Sequence, residues 1–283
     1  MRTLVHLSDT HILPTEDARL DGVVDTLANL RAVLERVAEA GLRPDALVVS
    51  GDLANSGDLP SYERVRRELN TFAERLGAQL IVAMGNHDAR SAFRQALLDL
   101  PPSEEPVEYV RWIGELRLIV LDSTVPGAPY GEVRPGQLAW LAGELSTRAA
   151  EGSIVILHHT PVPDATPLAG LLTLHGAEQL EAVVRGSDVV AVLAGHAHHA
   201  IASAFGGVFC YAAPATAYSV DPLVLDECVL RGVQGSGFGV VRVFDGRAVA
   251  LTISMPSSGQ QTYRHELSDE AVQRMVGAAI AAD

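Results

Sequence analysis

The sequence predicts an α/β (α+β) fold, a four-layer αββα sandwich in which two mixed β-sheets are flanked by helices. Three observations carry this expectation. Short apolar runs alternate with helix-periodic segments through the first half, a βαβα order that implies parallel strands joined by crossover helices. The second half turns to hairpin and strand patterns. No internal repeat, charge block or low-complexity linker divides the 283 residues, so residues 1–283 read as a single domain.

Thr3–Ser8 reads as a buried strand, and Ala46–Ser50 and Gln79–Met84 repeat its pattern. Between the first two, Val23, Leu27, Leu30, Leu34 and Val37 recur at steps of four and three, one face of a helix. Gly41 and Pro44 stop that helix. Tyr62–Leu76 forms the next one, with Val65, Leu69, Phe72 and Leu76 on one side. Val107–Ile113 and Leu116–Leu121 flank Gly114 as a hairpin. Pro135 opens a helix that runs to about Arg148. Ser153–Leu157 and Val189–Ala194 are buried strands around a helix near Glu178–Val184. Val208–Ala212, Gly239–Phe244 and Ala248–Ser254 are strands, with Asp245-Gly246 as a hairpin turn. Residues 201–260 are expected to complete the second sheet. Residues 268–281 form a last helix started by Ser268.

Hydrophobic residues make up 48% of the chain and charged residues 20%, enough for a sizeable core. The net charge of −14 argues against long nucleic acid, whose backbone calls for clustered Lys and Arg. A small anionic substrate stays open, because bound cations reverse the local field. Cys210 and Cys228 are too few for a disulfide framework and are expected to be reduced. Met1–Leu7 lacks the apolar stretch and cleavage site of a secretory signal, and no run has the length of a membrane span. A cytoplasmic location and no membrane partner are expected.

Several strand ends finish in residues of one chemical kind. They are Asp9-Thr10-His11, Gly51-Asp52, Gly85-Asn86-His87-Asp88, the His158 that follows Val155-Ile156-Leu157, and Gly195-His196-Ala197-His198. Open α/β folds place ligands at such ends. Carboxylate, imidazole and amide oxygen together suit borderline metals such as Mn, Fe or Zn. Residues two apart on extended backbone point to one side, so both members of each Asp-x-His or His-x-His pair are expected to reach one small site. Gly51, Gly85 and Gly195 permit tight turns and close approach. One such fragment is uninformative; five in order, each ending an apolar strand, form a strong signal.

The series from Asp9-x-His11 to Gly195-His196-x-His198 resembles the signature of calcineurin-like metallophosphoesterases. It is most similar to the bacterial class III cyclic nucleotide phosphodiesterases and their glycerophosphodiesterase relatives. Leu42-Arg43-Pro44-Asp45-Ala46, Leu121-Asp122-Ser123 and Tyr130-Gly131-Glu132 add to that closer likeness. The resemblance implies two metal ions, one held by Asp9, His11, Asp52 and His198, the other by Asp52, Asn86, His158 and His196. Asp52 would bridge them, and a water made acidic between the ions would attack phosphorus. Within that scheme His87 would protonate the leaving alkoxide or hydrogen-bond the phosphate. Asp88 would orient His87 or a metal ligand.

His159 and His199 stay open between substrate contact and loop roles, while His6 reads as structural and His175 and His265 earn no site assignment. Pro161–Leu172 reads equally as a pocket wall, a lid, a partner contact or a packed surface loop. Purple acid phosphatases carry Tyr where this chain has Asn55. Protein serine/threonine phosphatases carry an arginine in the Gly51–Gly57 loop that this chain lacks. The expected substrate is therefore a small, monoanionic phosphodiester, cyclic nucleotides first. A glycerophosphodiesterase or broad phosphodiesterase is the nearest alternative, and a non-catalytic scaffold of the same fold a remoter one. The resemblance also implies a homodimer.

Overall fold

The computed structural model describes residues 1–226, 228–257, 259–268 and 270–274. In chain order the first elements are β1 (Arg2–Leu7), α1 (Thr26–Glu39), β2 (Ala46–Ser50), α2 (Leu59–Leu76), β3 (Gln79–Ala83) and α3 (Arg90–Leu98). Next come β4 (Tyr109–Ile113), β5 (Leu116–Val120), β6 (Gly131–Glu132), α4 (Pro135–Glu144), β7 (Ser153–Ile156), α5 (Pro167–Gly170), β8 (Leu174–His175), α6 (Ala177–Val184) and β9 (Val189–Ala194). The last stretch holds β10 (Ile201–Phe205), β11 (Val208–Ala212), β12 (Ser219–Val220), β13 (Val229–Val233), β14 (Gly237–Phe244), β15 (Arg247–Ser254) and β16 (Gln261–Glu266).

Two mixed sheets dominate. One has the order β15-β14-β1-β2-β3, with β1, β2 and β3 parallel and β14 antiparallel to β1. The other has the order β10-β11-β9-β7-β5-β4, parallel inside with an antiparallel strand at each edge. The inner strands are buried on both faces, and the two-residue period divides those faces between two cores. Leu4, Val48 and Ile81 meet Leu118, Ile154 and Leu193 between the sheets. Val5, Leu47 and Val49 turn outward onto Leu30, Val33, Leu69 and Phe93 of α1, α2 and α3. On the other side Val155 and Val192 pack on Leu141 of α4 and Leu180 of α6. The four-layer αββα arrangement follows.

Helix ends match their sequence signals. The Asp25 carboxylate accepts from the Ala28 amide at 2.9 Å, and Asp58 caps α2 through the Ser61 amide. Gly77 ends α2 in the left-handed conformation. α1 begins later than the periodicity indicates, leaving Val23 exposed ahead of it.

One expectation is corrected by strand pairing. Residues 201–260 do not all complete the second sheet: β10 and β11 do, whereas β14 and β15 extend the first. Phe238 and Val240 are needed to cover the α1–α2 side and Val241 and Val243 the inter-sheet side, so β14 lies beside β1. β12, β13 and β16 form a separate three-stranded sheet. The helix expected over 268–281 lies in large part outside the described residues; at its start the Ser268 hydroxyl accepts from the Ala271 amide at 3.3 Å. Among the described residues no helix is long and apolar enough to cross a membrane.

Candidate metal centre

The parallel strands β1, β2, β3, β7 and β9 all point their C-terminal ends to one place. The loops leaving them carry Asp9 and His11, Asp52, Asn86 to Asp88, His158 and His159, and His196 to His199. Asp9, His11, Asp52 and His198 are buried, and one ligand atom from each lies within 4.8 Å of the others. His11 Nε2 is 3.2 Å from His198 Nε2 and 3.5 Å from Asp52 Oδ2, and His198 Nε2 is 3.3 Å from Asp9 Oδ1. A second group adjoins it through the same carboxylate. His158 Nε2 lies 3.4 Å from Asp52 Oδ2, 3.2 Å from Asn86 Oδ1 and 3.2 Å from His196 Nδ1. Every residue expected to hold a metal therefore converges, with Asp52 Oδ2 between the two groups.

The backbone does this differently from the expected extended pairs. Asp9, His11, Asp52, His196 and His198 all have φ between 43° and 70°, the left-handed region that ordinary side chains avoid. The side chains converge because the chain coils tightly after each strand, and the strain is held by the surrounding packing. Close approach accounts for the glycines. A Cβ on Gly51 would stand 2.3 Å from the His158 ring, one on Gly85 2.2 Å from Asp52 Oδ1, and one on Gly195 1.8 Å from Ser8 Oγ.

Hydrogen bonds fix which ring nitrogen is presented. His11 Nδ1 pairs with Asn55 Oδ1, His158 Nδ1 with the Ser50 carbonyl and His198 Nδ1 with the Tyr218 carbonyl. Each acceptor oxygen fixes its proton on Nδ1, so Nε2 offers a lone pair to the centre. Asp52 Oδ1 accepts from the His87 amide and Asp9 Oδ2 from the His196 amide, freeing the other oxygens to face inward. Asp9 Oδ1 is buried with no hydrogen-bond partner. Lone pairs and carboxylate oxygens facing one another at these separations make a donor set that cations satisfy, so the residues fit a metal pair.

The charges agree with that reading. Burial alone would push both carboxyls up; His198 and His158 outweigh it at Asp9, and His158 and His11 at Asp52, so both fall below the ordinary range. Burial lowers His11 to about 4 and His196 to about 3, keeping both neutral. Burial also opposes protonation of His158, but Asp52 holds it up at about 9. A cation arriving there displaces that proton.

The remaining candidates separate. The His87 ring is solvent-facing, with Nδ1 2.9 Å from the Asn55 carbonyl and its plane edge-on to His11. Asp88 does not touch the His87 ring. Its oxygens accept from the Leu53, Ala54 and Gly85 amides and the Tyr62 hydroxyl, tying the Asp52 loop to the Asn86 loop. His159 caps no loop: it is fully buried, with Nδ1 on Ser123 Oγ and its ring 4.6 Å from that of His196. Gly131 leaves the room for it. The His199 ring turns to Asp164 Oδ2 at 3.1 Å. His6 is buried in β1 on Ser50 Oγ, a structural place. Ser123, from the Leu121-Asp122-Ser123 stretch, braces the centre, and so do Asn55 and Tyr218, which no motif marked for that part. A cavity of about 150 Å³ opens over the cluster, with Leu172, Val220, Leu230 and Tyr263 in its lining. Asp164, Ala169 and Leu172 also line it, so Pro161–Leu172 serves as a pocket wall.

Residues 2–200 match the model of the calcineurin-like phosphoesterases. The chain is 41% identical over 274 residues to a cAMP/cGMP dual specificity phosphodiesterase of Mycobacterium tuberculosis, covering 96% of this chain and 85% of that one. It is 31% identical to a 3′,5′-cyclic adenosine monophosphate phosphodiesterase of Pseudomonas aeruginosa, with 89% of each covered. A solved dimetal phosphatase from Danio rerio shares the fold at a TM-score of 0.62 and 14% identity, covering 94% of this chain and 99% of its own. By the matched residues and by these identities, the chain belongs to the calcineurin-like phosphoesterase family.

Proposed function

We propose that this chain hydrolyses small phosphodiesters, 3′,5′- or 2′,3′-cyclic nucleotides first, at a centre for two divalent cations. The observation that carries the reading is Asp52 Oδ2, placed 3.5 Å from His11 Nε2 and 3.4 Å from His158 Nε2, one oxygen shared by two donor groups. Asp9, His11, Asp52 and His198 would hold one ion, and Asp52, Asn86, His158 and His196 the other. The mixed donors favour Mn, Fe or Zn. Bound there, such ions supply Lewis acidity and an acidified water for phosphoryl transfer.

The chain's own groups do the rest. His87 donates its Nδ1 proton to the Asn55 carbonyl, so Nε2 is left to serve the substrate. In the imidazolium form it gives a proton to the departing alkoxide, and between turnovers it regains that proton from solvent. Asn55 holds His87 with its carbonyl and His11 with its side chain, keeping acid and ligand in register. Among the described residues no Lys or Arg lines the cavity, which supports a monoanionic diester over a dianionic monoester. The relative that is 41% identical and named for cAMP and cGMP supports the cyclic nucleotide choice. A cytoplasmic homodimer belongs to the same proposal.

A substrate panel on Mn²⁺-loaded protein tests it, with both cyclic AMP isomers, a glycerophosphodiester and p-nitrophenyl phosphate at matched concentration. Turnover of a cyclic nucleotide, abolished by EDTA and restored by Mn²⁺, is expected. A faster rate on the monoester contradicts the diesterase reading, and a faster rate on the glycerophosphodiester moves the substrate to that class.

A further inference from the structure

Part of the cavity lining comes from a stretch of the chain that the Asp and His motifs do not reach. Tyr218, Val220, Leu230 and Tyr263 belong to it, and all lie beyond residue 200, where the family match ends. The last three sit on β12, β13 and β16, the small sheet that joins neither main sheet. These residues are apolar and aromatic, whereas Asp52, Asn86, His87 and His196 give the same cavity a polar part. The position of Tyr218 is tied to the metal centre. The Tyr218 carbonyl accepts from His198 Nδ1 at 3.1 Å, and the Tyr218 ring lies 4.3 Å from the His198 ring. The Tyr218 and Tyr263 rings meet edge to face at 5.5 Å. Two ring-to-ring steps thus connect His198 to Tyr263 along the cavity lining.

The Tyr263 ring has a seat made for it. Gly232 is its cross-strand partner in the β13–β16 pair, and a Cβ there would stand 2.2 Å from Tyr263 Cε1. With no side chain at Gly232 the ring lies across the sheet, and the register shift between Gly232 and Val233 falls at the same place. The ring, laid over Gly232 with His265 packed 4.7 Å from it, lines the cavity beside Leu230.

We infer that Tyr263, seated on Gly232 and flanked by Leu230 and Tyr218, forms a platform on which the nucleobase of a nucleotide substrate stacks. The inference deepens the proposed function, since it names the residues that recognise the part of the substrate remote from phosphorus. Stacking needs only the π-face of a base, so the platform accepts adenine and guanine alike.

Direct binding to Mn²⁺-loaded protein tests it without any need for turnover. AMP and ribose 5-phosphate share the sugar and phosphate and differ by the base, so their ratio of Kd values isolates the platform. The expected ratio is about ten to a hundred in the wild type, falling below about threefold in Tyr263→Ala and staying near wild type in Tyr263→Phe. Gly232→Ala, which displaces the ring without removing it, lowers the ratio too. Retained ribose 5-phosphate binding shows that each variant is folded. A wild-type ratio near one, or a ratio unchanged in both Tyr263→Ala and Gly232→Ala, overturns the inference. Failure to hydrolyse any cyclic nucleotide is read in the separate substrate panel, so loss of that reaction and loss of the platform are told apart.

Discussion

His87 and His158 both adjoin Asp52 but have opposite surroundings, and that contrast underlies the roles proposed for them. His158 is fully buried, its Nδ1 on the Ser50 carbonyl and its Nε2 among carboxylate, amide and imidazole. His87 is exposed and lines the cavity, its ring hydrogen-bonded through Nδ1. Removing His87 therefore spares the buried donor atoms and removes the proton donor proposed above. In His87→Ala, turnover of a diester with a poor leaving group should fall by about 10²–10⁴-fold with bound metal retained. Steady-state kinetics beside metal analysis checks this, and unchanged turnover on that substrate removes His87 from the acid role. The identity of the donor residues was readable in the sequence because each follows an apolar strand within a short motif. Their left-handed backbone was not, since Asp and His enter that region more often than most residues but still in a minority of places; nor was the bracing by Asn55 and Asp88, which depends on loops far apart in the chain.

Strand ends divide the labour between catalysis and stability. The C-terminal ends of β1, β2, β3, β7 and β9 carry the centre, and the opposite ends of β5, β7 and β9 carry a buried ion pair. Arg117 reaches Asp188 at 3.0 Å and also donates to Ser153 Oγ and the Thr147 carbonyl, with both charged side chains almost wholly enclosed. Asp188→Ala leaves the guanidinium without its carboxylate. It should destabilise the fold by about 3–5 kcal/mol, read as a lower urea midpoint, because an uncompensated charge stays buried. A loss below about 1 kcal/mol would show that Arg117 finds solvent or another partner. The strands and main helices were legible from periodicity, within a few residues at their ends. What β14 and β15 would pair with was not. Their apolar residues face both cores, so only the competition between sheets for a neighbour decides the matter.

Across the whole molecule, two sheets bring together groups that are hundreds of residues apart in some cases, and the burial that this demands makes stability depend on pH. His6 lies inside β1, and burial lowers it to about 3, so it stays neutral in the folded chain while its unfolded counterpart titrates near 6.5. Below about pH 6.5 the unfolded state binds the additional proton, so stability is full above that value and is lost as pH falls toward 3. Urea midpoints of chelator-stripped protein should drop between about pH 7 and pH 4.5, less steeply in His6→Gln than in the wild type. Equal slopes would mean that His6 is protonated without unfolding. The central claim concerns the shared carboxylate, and metal content measures it most directly. Protein dialysed against Mn²⁺ and then freed of loose ions should retain close to two equivalents per chain, and Asp52→Asn one or fewer with activity lost alongside. Two equivalents retained in Asp52→Asn, or a single equivalent in the wild type, would contradict a centre built on one oxygen between two ions.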